Sequence, residues 1–379
     1  MLVVAADFCA SSALSQRQRT STLILATEQH FTLTNVLGCY IIECTKHEGA
    51  YMQNIIHLLV GVAGSGKTTY AKQNLSSAKY FSPDDYRMSM YGRLRQDKNN
   101  EVFDAMHRDM TDYLQENSGV ELVYDATNIN RTRRAELYQR FSGLAKMVIH
   151  FFAIDYGTIR RQNQERTGEK RVPDRVTKKM YTNLQVPRYK VDYDELVVIG
   201  EFEKFKPEFA QDIPHDSPYH AESMFEHFDM AKELSEREPD AERMYELAEF
   251  HDLGKFMARV PNKKNTRHAN YFRSVNNGQF FHYTGHPNIS AFYYLAYINE
   301  LVDLNDHDNP ETKEKLENLE VIYQHMQAHD GFSQKMIKKN LLSETELDVL
   351  MRFEKIDSEA RYVDEEIYAK YMDLMKGKN

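Results

Sequence analysis

The sequence Gly-Val-Ala-Gly-Ser-Gly-Lys-Thr at residues 61–68 constrains the fold more than any other part of this chain. It follows the apolar run Ile55–Val60 directly and precedes a stretch with helical character, so it fits the pattern G-x-x-x-x-G-K-[ST] in its expected setting. Glycines in such a loop let successive backbone N–H groups surround the phosphates of a nucleotide, and the helix N-terminus adds partial positive charge. The motif therefore predicts a phosphate-binding loop, or P-loop.

The residues that would contact ATP and Mg²⁺ follow from this loop and from a later strand. Lys67 is predicted to reach the β- and γ-phosphates, and Thr68 is predicted to hold Mg²⁺. Asp125 follows the strand-like run Glu121–Tyr124 and is a Walker-B-like carboxylate that would orient the Mg²⁺ shell. The full predicted set for ATP and Mg²⁺ is Gly61, Gly64, Ser65, Gly66, Lys67, Thr68, Thr69 and Asp125.

Short apolar strands alternate with helical stretches after the P-loop. The predicted strands are Lys79–Phe81, Glu121–Tyr124, Met147–Ile154 and Leu196–Ile199. This alternation is typical of βαβ units, which form a parallel sheet. We therefore expect an α/β domain of the P-loop kinase type over residues 52–205.

Beyond Pro218 the pattern changes to long amphipathic helices. Two of these are predicted at Ala221–Glu238 and Ala241–His251, and no strand-like run of comparable quality follows. We therefore expect an all-α domain over residues 217–379, joined to the α/β domain by a linker at residues 206–216.

Charge divides along the same line. The whole chain has a net charge of −9, but residues 52–205 carry +4 and residues 206–379 carry −12. The overall negative charge argues against a protein that coats nucleic acid in general, whereas the α/β part is better suited to bind a polyanion locally.

The first 51 residues differ from the rest in composition. All three cysteines, Cys9, Cys39 and Cys44, lie here, so no disulfide framework holds the remaining chain, and a reducing, cytoplasmic setting is expected. The segment is poor in charge and is predicted to be a poorly ordered extension or spurious upstream sequence. The chain contains no run of eighteen uncharged apolar residues, which predicts a soluble protein without a membrane segment.

Two carboxylates and a guanidinium follow the predicted strand Lys79–Phe81, in the order Asp84, Asp85 and Arg87. They would lie at the carboxyl end of the sheet, where ligands of such folds bind, and one carboxylate could take the proton of an acceptor hydroxyl. A second group of basic side chains follows Asp125 and would grip phosphate in a forked geometry. These arginines are Arg131, Arg133 and Arg134.

A third basic segment, Thr158–Lys190, contains ten basic and three acidic residues. It is consistent with a lid that closes over the transferring phosphoryl group, although most of its charges are expected to be solvated.

These motifs together resemble the kinase domain of 5′-hydroxyl polynucleotide kinases of the bacteriophage and bacterial RNA-repair type, over about residues 52–200. Besides the P-loop, the resemblance rests on Asp84-Asp85-Tyr86-Arg87, on Asp125-Ala126-Thr127-Asn128 followed by Arg131, and on Arg161-Gln162-Asn163-Gln164-Glu165-Arg166 before Val172-Pro173. It implies that Asp84 is the general base, Arg87 the clamp on the acceptor strand, and Arg166 the lid arginine. The family often has arginine where Pro83 stands, and the lid spacing is one residue longer here.

Most of the histidines lie in the helical half, together with two aspartates of interest. Imidazole and carboxylate ligands without cysteine predict a site for a divalent transition metal such as Mn²⁺, Fe²⁺, Co²⁺, Ni²⁺ or Zn²⁺, rather than a thiolate-rich structural zinc site. An open coordination position would make the site hydrolytic. The residues of this set are His220, His227, His251, Asp252, His282, His286, His325, His329 and Asp357.

This set resembles the HD phosphohydrolase superfamily, over roughly residues 217–365. The resemblance implies four ligands of a first metal, which are His227, His251, Asp252 and Asp357. It implies two further ligands, His286 and His325, in members with a second metal. Lys255 would help to neutralise phosphoryl charge. His220 and His329 are expected to be structural or to support the ligands, with His220 lining the pocket or His329 replacing His325 as the alternatives.

A 5′-hydroxyl kinase joined to a metal phosphoesterase is the combination that heals a broken RNA whose ends are a 2′,3′-cyclic phosphate and a 5′-hydroxyl. The resemblance thus implies RNA or DNA ends and ATP as substrates, and a separate RNA ligase as a candidate partner. Two alternatives remain open at this point. One is a kinase of a nucleoside or other small molecule fused to an HD nucleotidase, and the other is a nucleotide-gated regulator with a degenerate helical half.

Overall fold

The structure, a computed structural model, describes residues 53–94, 96–329 and 342–377 and, within the first 52 residues, the backbone of three strands. These strands form an antiparallel sheet and are β1 Ser21–Leu23, β2 His30–Val36 and β3 Cys39–Thr45. The chain divides into two compact units, residues 1–52 and 53–379. The rest of the extension predicted at residues 1–51 lies outside the described residues.

A five-stranded parallel sheet forms the centre of the first half of the larger unit. Its strands are β4 Ile55–Val60, β5 Lys79–Phe81, β6 Glu121–Asp125, β7 Lys146–Phe152 and β8 Glu195–Ile199. The strand order is β5-β6-β4-β7-β8, and every neighbouring pair is parallel. Strand β4 is central and buried after its first residue, as expected for an apolar strand covered on both faces. The prediction of a parallel α/β fold is confirmed.

Six α-helices accompany this sheet. They are α1 Lys67–Asn74, α2 Pro83–Tyr91, α3 Asn99–Glu116, α4 Arg131–Phe141, α5 Tyr156–Gln164 and α6 Asp174–Thr182. Helix α2 begins where it does because the Ser82 hydroxyl accepts a hydrogen bond from the Asp84 N–H, at 3.2 Å, and Pro83 occupies the first helical position. The helix start therefore fixes the position of the predicted general base.

The second half of the larger unit is mostly helical, as predicted. Its helices are α7 Met224–Ser235, α8 Ala241–Phe250, α9 Lys255–Ala258, α10 Arg267–Val275, α11 His286–Ile298, α12 Pro310–His329, α13 Glu344–Glu359 and α14 Glu365–Lys376. Two short strands, β9 Val260–Pro261 and β10 Phe281–His282, pair antiparallel. No helix in the described part of the chain combines the length and apolar character that crossing a membrane requires.

Helix α7 is shorter than the helix predicted at Ala221–Glu238. A reciprocal pair of hydrogen bonds between Ser223 and Glu226 forms a capping box, which starts the helix at Met224. The three residues before Met224 are thereby left outside the helix, and one of them, Glu222, lies close to the cluster of histidines described below.

The segment between the two halves begins with a packed 3₁₀ helix, Phe202–Glu208. Phe205 of this helix is fully buried, and its ring centroid lies 5.1 Å from that of Phe292 on α11. Phe292 also contacts Phe151 of β7 at 5.9 Å and Tyr181 of α6 at 5.4 Å. The start of the segment predicted as a linker is therefore folded, and residues from both halves contribute to one hydrophobic core.

Candidate functional site

The P-loop leads from β4 to α1, and its glycines meet two different constraints. Gly64 and Gly66 have φ values of 93° and 89°, in the left-handed region that favours glycine. A Cβ atom on Gly64 would also lie 3.0 Å from the Ile159 carbonyl oxygen on α5. The backbone of the loop can therefore curl tightly beneath the lid segment only with glycine at these positions.

Lys67 and Thr68 begin α1 and face into the P-loop and towards β6. The Lys67 Nζ donates to the carbonyl oxygens of Gly61 and Val62, at 2.8 and 2.9 Å. Burial lowers the pKa of Lys67 to about 8; the nearby Arg166 adds to this shift and Asp125 opposes it. Thr68 Oγ1 donates to Asp125 Oδ2 at 2.6 Å. The predicted Mg²⁺-holding hydroxyl and the Walker-B-like carboxylate thus lie together.

Tyr80 is a member of this site that the sequence did not indicate. Its hydroxyl donates to Asp125 Oδ2, the same oxygen that accepts from Thr68. Tyr80 lies in the edge strand β5, where an aromatic residue is ordinary, so its sequence position carries no functional signal. The two hydroxyls hold the Asp125 carboxylate in one orientation.

The predicted acceptor side is formed at the start of α2. Asp84 Oδ1 lies 2.6 Å from Arg87 Nη1 in an ion pair one helical turn apart, and the Asp84 side chain is half exposed. Arg87 is buried, and its Nη2 donates to Asn99 Oδ1 at 2.6 Å. The Arg87 Nε is buried and has no hydrogen-bond acceptor among the described residues. The guanidinium is thus held rigidly and retains one donor for a further group.

The predicted lid consists of α5, a short 3₁₀ turn and α6. Fully buried Asn163 accepts from the Val172 N–H and donates to the Val172 carbonyl oxygen, at 3.1 and 2.6 Å, which fixes the turn between the two helices. Arg166 is half-buried and donates to the Lys170 carbonyl oxygen at 3.3 Å. Arg160 and Arg171 are exposed, in agreement with the expectation that most lid charges are solvated.

Two of the arginines after Asp125 differ from the prediction. Arg131 forms a two-pronged ion pair with Glu320 of α12, with Nη1–Oε2 and Nη2–Oε1 distances of 2.9 and 2.7 Å. Arg134 is fully buried and its Nε lies 2.8 Å from Asp192 Oδ2. These guanidiniums already form ion pairs with carboxylates of the protein, so the prediction that they grip phosphate is wrong. Arg133 is exposed on α4.

In the helical half, four predicted ligands meet in one buried cluster: His227, His251, Asp252 and Asp357. They come from α7, from the end of α8 and from α13. The Asp357 Oδ1 lies 3.2 and 3.3 Å from the Nε2 atoms of His227 and His251. Such spacings agree with the roughly 3.3 Å that separates tetrahedral ligands placed about 2.0–2.1 Å from one ion.

Asp252 also belongs to a second buried cluster, with His286 at the start of α11 and His325 on α12. The Asp252 Oδ2 faces the first cluster, whereas its Oδ1 lies 3.1 Å from His286 Nε2 and 3.5 Å from His325 Nε2. This Oδ1 is buried without a hydrogen-bond partner among the described residues. The two oxygens of one carboxylate therefore face two different clusters, and Asp252 would contribute to both if each held an ion.

The four histidines share one hydrogen-bond arrangement, which decides whether they fit a metal. In each ring the Nδ1 atom lies 2.6–3.0 Å from a backbone carbonyl oxygen. Because a carbonyl only accepts, each Nδ1 carries a proton, and the Nε2 atom that faces the cluster is the nitrogen left to bind a further proton or a metal ion. The accepting carbonyls belong to Ala360, Ala248, Tyr283 and Ile322.

Facing lone pairs need a positive charge between them. The Nε2 atoms of His227 and His251 are 3.1 Å apart, and those of His286 and His325 are 3.0 Å apart. Burial acts to lower the pKa of His251, but the carboxylates of Asp252 and Asp357 outweigh it and raise the pKa to about 10. Both the lone pairs and the carboxylates therefore favour a cation here, and the donor set suits a divalent transition metal.

Lys255 lies next to this cluster, as predicted. Its ammonium forms an ion pair with Asp252 Oδ2, and its Nζ lies 3.3 Å from His215 Nε2. His215 belongs to a further group with His220 and Glu222, of which the sequence had singled out only His220. His215 was missed because it falls in the segment predicted as a linker. His329 ends α12, and its side chain lies outside the described residues.

The comparisons with known proteins concern mainly the α/β half. Residues 56–187, about a third of the chain, match the family model described as an AAA domain. No curated protein matches the chain. Together with the P-loop geometry, the match defines this half as a P-loop α/β domain, which is followed by a helical region that the family model does not cover.

Several solved structures are similar to parts of the chain. A chain of the Pnkp1/Rnl/Hen1 RNA repair complex is 19% identical over 37% of this chain and 46% of its own length, with a TM-score of 0.33. A chain in a second structure of that complex is 17% identical over 30% and 40%, with a TM-score of 0.27. A gluconokinase from Sinorhizobium meliloti 1021 is 18% identical over 40% and 85%, with a TM-score of 0.28. This chain thus spans less than half the length of the RNA repair chains that it matches.

Proposed function

We propose that this protein heals nucleic-acid ends: it phosphorylates 5′-hydroxyl ends of RNA or DNA with ATP, and it removes 2′,3′-cyclic, 2′- or 3′-phosphates at a metal centre of the HD type. The observation that carries the proposal is the presence, in one compact unit, of a P-loop and a buried cluster of four histidine Nε2 atoms and two aspartates. Both sites are suited to phosphate chemistry, and end healing requires one reaction of each kind.

In the kinase reaction, the P-loop amides and Lys67 bind the ATP phosphates, and Thr68 and Asp125 hold Mg²⁺. Asp84 accepts the proton of the attacking 5′-hydroxyl, for which its half-exposed carboxylate at the sheet edge is accessible. Arg87 binds a phosphate of the acceptor strand; its guanidinium is held next to Asp84 at the start of α2. Arg166, whose charge already acts on Lys67, neutralises the transferring phosphoryl group.

In the phosphohydrolase reaction, a divalent metal such as Mn²⁺, Fe²⁺, Co²⁺, Ni²⁺ or Zn²⁺ would supply Lewis-acid activation of phosphate and water. His227, His251, Asp252 and Asp357 would hold one ion, and Asp252 with His286 and His325 would hold a second. The backbone carbonyls that accept from the Nδ1 atoms keep each ring in the tautomer that binds metal. Lys255 offsets negative charge on the phosphoryl oxygens beside Asp252.

A kinase of a small hydroxylated metabolite, fused to a nucleotidase, is the second candidate. One observation favours it: Arg131 and Arg134 form ion pairs with Glu320 and Asp192 and are not available as contacts for a nucleic-acid strand. The acceptor side then depends on Arg87 and on the exposed lid arginines. A small acceptor would need fewer contacts than a strand does.

The deciding experiment uses the full chain with ATP, Mg²⁺ and Mn²⁺ and an RNA oligonucleotide that has a 5′-hydroxyl and a 2′,3′-cyclic phosphate. Intact mass spectrometry reads both ends. We expect the 5′ end to gain one phosphate and the 3′ end to lose its phosphate, which would leave a 5′-phosphate and a 3′-hydroxyl that a separate RNA ligase could join. Phosphorylation of free nucleosides with no change in the oligonucleotide would favour the metabolite kinase instead.

Two variants assign the activities to the sites. Lys67→Ala should abolish the 5′ reaction and leave the 3′ reaction intact, and His251→Ala should do the reverse. Loss of both activities in either variant, with the fold intact, would contradict the assignment of two separate sites.

A further inference from the structure

His220 lies beside the metal-ligand cluster but is not one of its ligands. Its ring stacks on that of His215, with centroids 4.3 Å apart and planes inclined by 16°. It also contacts His227 edge-on, with a centroid distance of 5.4 Å. The His220 side chain is 18% exposed, whereas those of His215 and His227 are buried. Among these three neighbouring rings, His220 is thus the one that solvent and a ligand can reach.

Glu222 fixes the orientation of the His220 ring. The His220 Nδ1 lies 2.6 Å from Glu222 Oε1, and the other oxygen of this buried carboxylate accepts the Tyr362 N–H at 2.8 Å. A carboxylate held by a backbone N–H cannot rotate away from the imidazole. Because the carboxylate accepts, Nδ1 is the protonated nitrogen of the neutral ring, and Nε2 is left as a hydrogen-bond acceptor.

The contacts of the two stacked histidines place His220 next to the metal-ligand cluster. His215 Nδ1 faces the Glu222 carbonyl oxygen at 3.1 Å, so both stacked rings turn their Nδ1 atoms to Glu222. His215 Nε2 lies 3.3 Å from the Lys255 ammonium, and Lys255 pairs with Asp252. Because His220 stacks on His215 and contacts His227, its ring lies within reach of a group bound beside the cluster.

A small cavity adjoins these histidines. Its volume is about 190 Å³, and its walls include His215, Ser217, His220, Phe272 and Asn276. Pockets that enclose a whole drug-sized ligand have roughly 300–1,000 Å³. The cavity is therefore suited to one part of a larger substrate, such as a sugar ring, with polar groups on one side and an aromatic ring on another.

We infer that His220 accepts a hydrogen bond from a ribose hydroxyl that neighbours the phosphoester at the metal centre. A phosphate dianion offers no donor to an acceptor nitrogen, whereas a vicinal hydroxyl does. The substrate that gains this contact is then a ribonucleoside 2′- or 3′-monophosphate, as at an RNA 3′ end whose cyclic phosphate has been opened, and the deoxyribonucleoside analogue is disfavoured. The inference rests on the proposed phosphohydrolase function of the metal centre.

The test compares a ribonucleoside 3′-monophosphate with its 2′-deoxy analogue as substrates of the full chain loaded with Mn²⁺. We expect the wild-type protein to prefer the ribonucleotide in kcat/KM by on the order of tenfold, since a site built around a hydroxyl disfavours the analogue that lacks it. His220→Ala should remove this preference by slowing only the ribonucleotide reaction. His220→Gln, which can place an acceptor oxygen near the Nε2 position, should restore part of it.

The controls distinguish a failure of the inference about His220 from a failure of the proposed phosphohydrolase function. Glu233→Gln changes an exposed residue of α7 and should leave the preference unchanged. Metal content and thermal unfolding should be the same in wild type and in the His220 variants. Equal rates on both nucleotides in the wild type, or a preference that survives in His220→Ala, would overturn the inference while the phosphohydrolase proposal stands. A metal-loaded wild type that hydrolyses neither nucleotide nor p-nitrophenyl phosphate would instead overturn the proposed function.

Discussion

Glu320 of α12 binds Arg131 of α4 through both of its carboxylate oxygens, 189 residues apart in the sequence. The same carboxylate lies 3.0 Å from Arg188, which also pairs with Glu346 of α13 at 2.8 Å. The Arg131 guanidinium further rests on the ring of Tyr323, 4.2 Å from its centroid. A buried network of two arginines and two glutamates therefore joins the P-loop half to the helical half.

Neutralising this network should destabilise the whole larger unit. Glu320→Gln leaves the guanidiniums of Arg131 and Arg188, whose side chains are 12% and 15% exposed, with one compensating carboxylate. Loss of a buried ionic partner costs about 3 kcal/mol. We expect urea unfolding to show a single transition at a lower midpoint. Glu136→Gln, a substitution on the surface of α4, is the matched control and should shift the midpoint little. Unchanged stability of the Glu320 variant would show that the network contributes no net free energy.

The role of Asp84 can be separated from that of its neighbour. Asp84 and Asp85 are both exposed in the first turn of α2, and Asp84 is the one that forms an ion pair with Arg87. At saturating substrates, Asp84→Asn should slow phosphorylation of the terminal hydroxyl by roughly 10²–10⁴-fold, the usual contribution of a general base. Asp85→Asn should slow it by less than about tenfold, since this carboxylate would act only through its charge. Comparable losses in both variants would mean that the charge of this turn, rather than one base, is needed.

The number of metal ions bound per chain should show whether the two clusters share the Asp252 carboxylate. Because Asp252 faces both clusters, Asp252→Ala should lower the bound transition metal to near zero. His325→Ala removes a ligand of the second cluster alone and should leave one ion per chain. Elemental analysis after dialysis against Mn²⁺ measures this directly. Chelation should also lower the Tm of the wild type, since a ligand bound to the folded state stabilises it. Equal metal loss in both variants would contradict the bridging role.

A pair of buried histidines in the sheet predicts acid sensitivity. His57 Nδ1 lies 2.9 Å from His150 Nε2, and burial lowers the pKa of His150 to about 4 and that of His57 in the same direction. Between about pH 4 and the ordinary histidine pKa of about 6.5, the unfolded chain binds more protons than the folded protein, so stability rises with pH across this window.

His150→Asn tests this link because asparagine does not titrate. We expect the wild type to lose on the order of 2 kcal/mol more than the variant as the pH falls from about 7 to about 4.5. The measurement is the free energy of unfolding in urea at each pH. A constant difference between the two proteins would show that His150 protonates equally in both states.

The local features of the molecule were predictable because they depend on neighbouring residues. The P-loop is set by the eight residues at 61–68, and the alternation of apolar strands with helical stretches led to the parallel sheet without knowledge of its partners. Strand ends were predicted to within two residues, as with Met147–Ile154 against the observed Lys146–Phe152. The helix at Ala221–Glu238 was predicted too long because apolar spacing does not mark the point where Ser223 caps the backbone.

The resemblance to the HD superfamily singled out the six histidine and aspartate residues of the predicted metal site, and their role as metal ligands stays a prediction. Histidine and aspartate side chains are rarely buried together in a helical core without a task, so their positions on amphipathic helices carry information. The structure brings all six predicted ligands into two adjoining clusters. Their tautomers and the bridging position of Asp252 could not be inferred, since these depend on backbone carbonyls and on the rotation of one carboxyl group.

What the sequence by itself determined is the set of functional groups in each half: a P-loop in the first, and histidine and aspartate side chains suited to a metal in the second. The tertiary structure alone decided which charged groups remain free to act. The sequence suggests Arg131 as a phosphate contact. In the fold, however, Glu320 of the helical half lies beside Arg131 and forms an ion pair with its guanidinium. His220 gains its orientation in the same way, from Glu222 and the backbone of Tyr362. Electrostatic pairing depends on distance in space, and sequence separation does not report that distance.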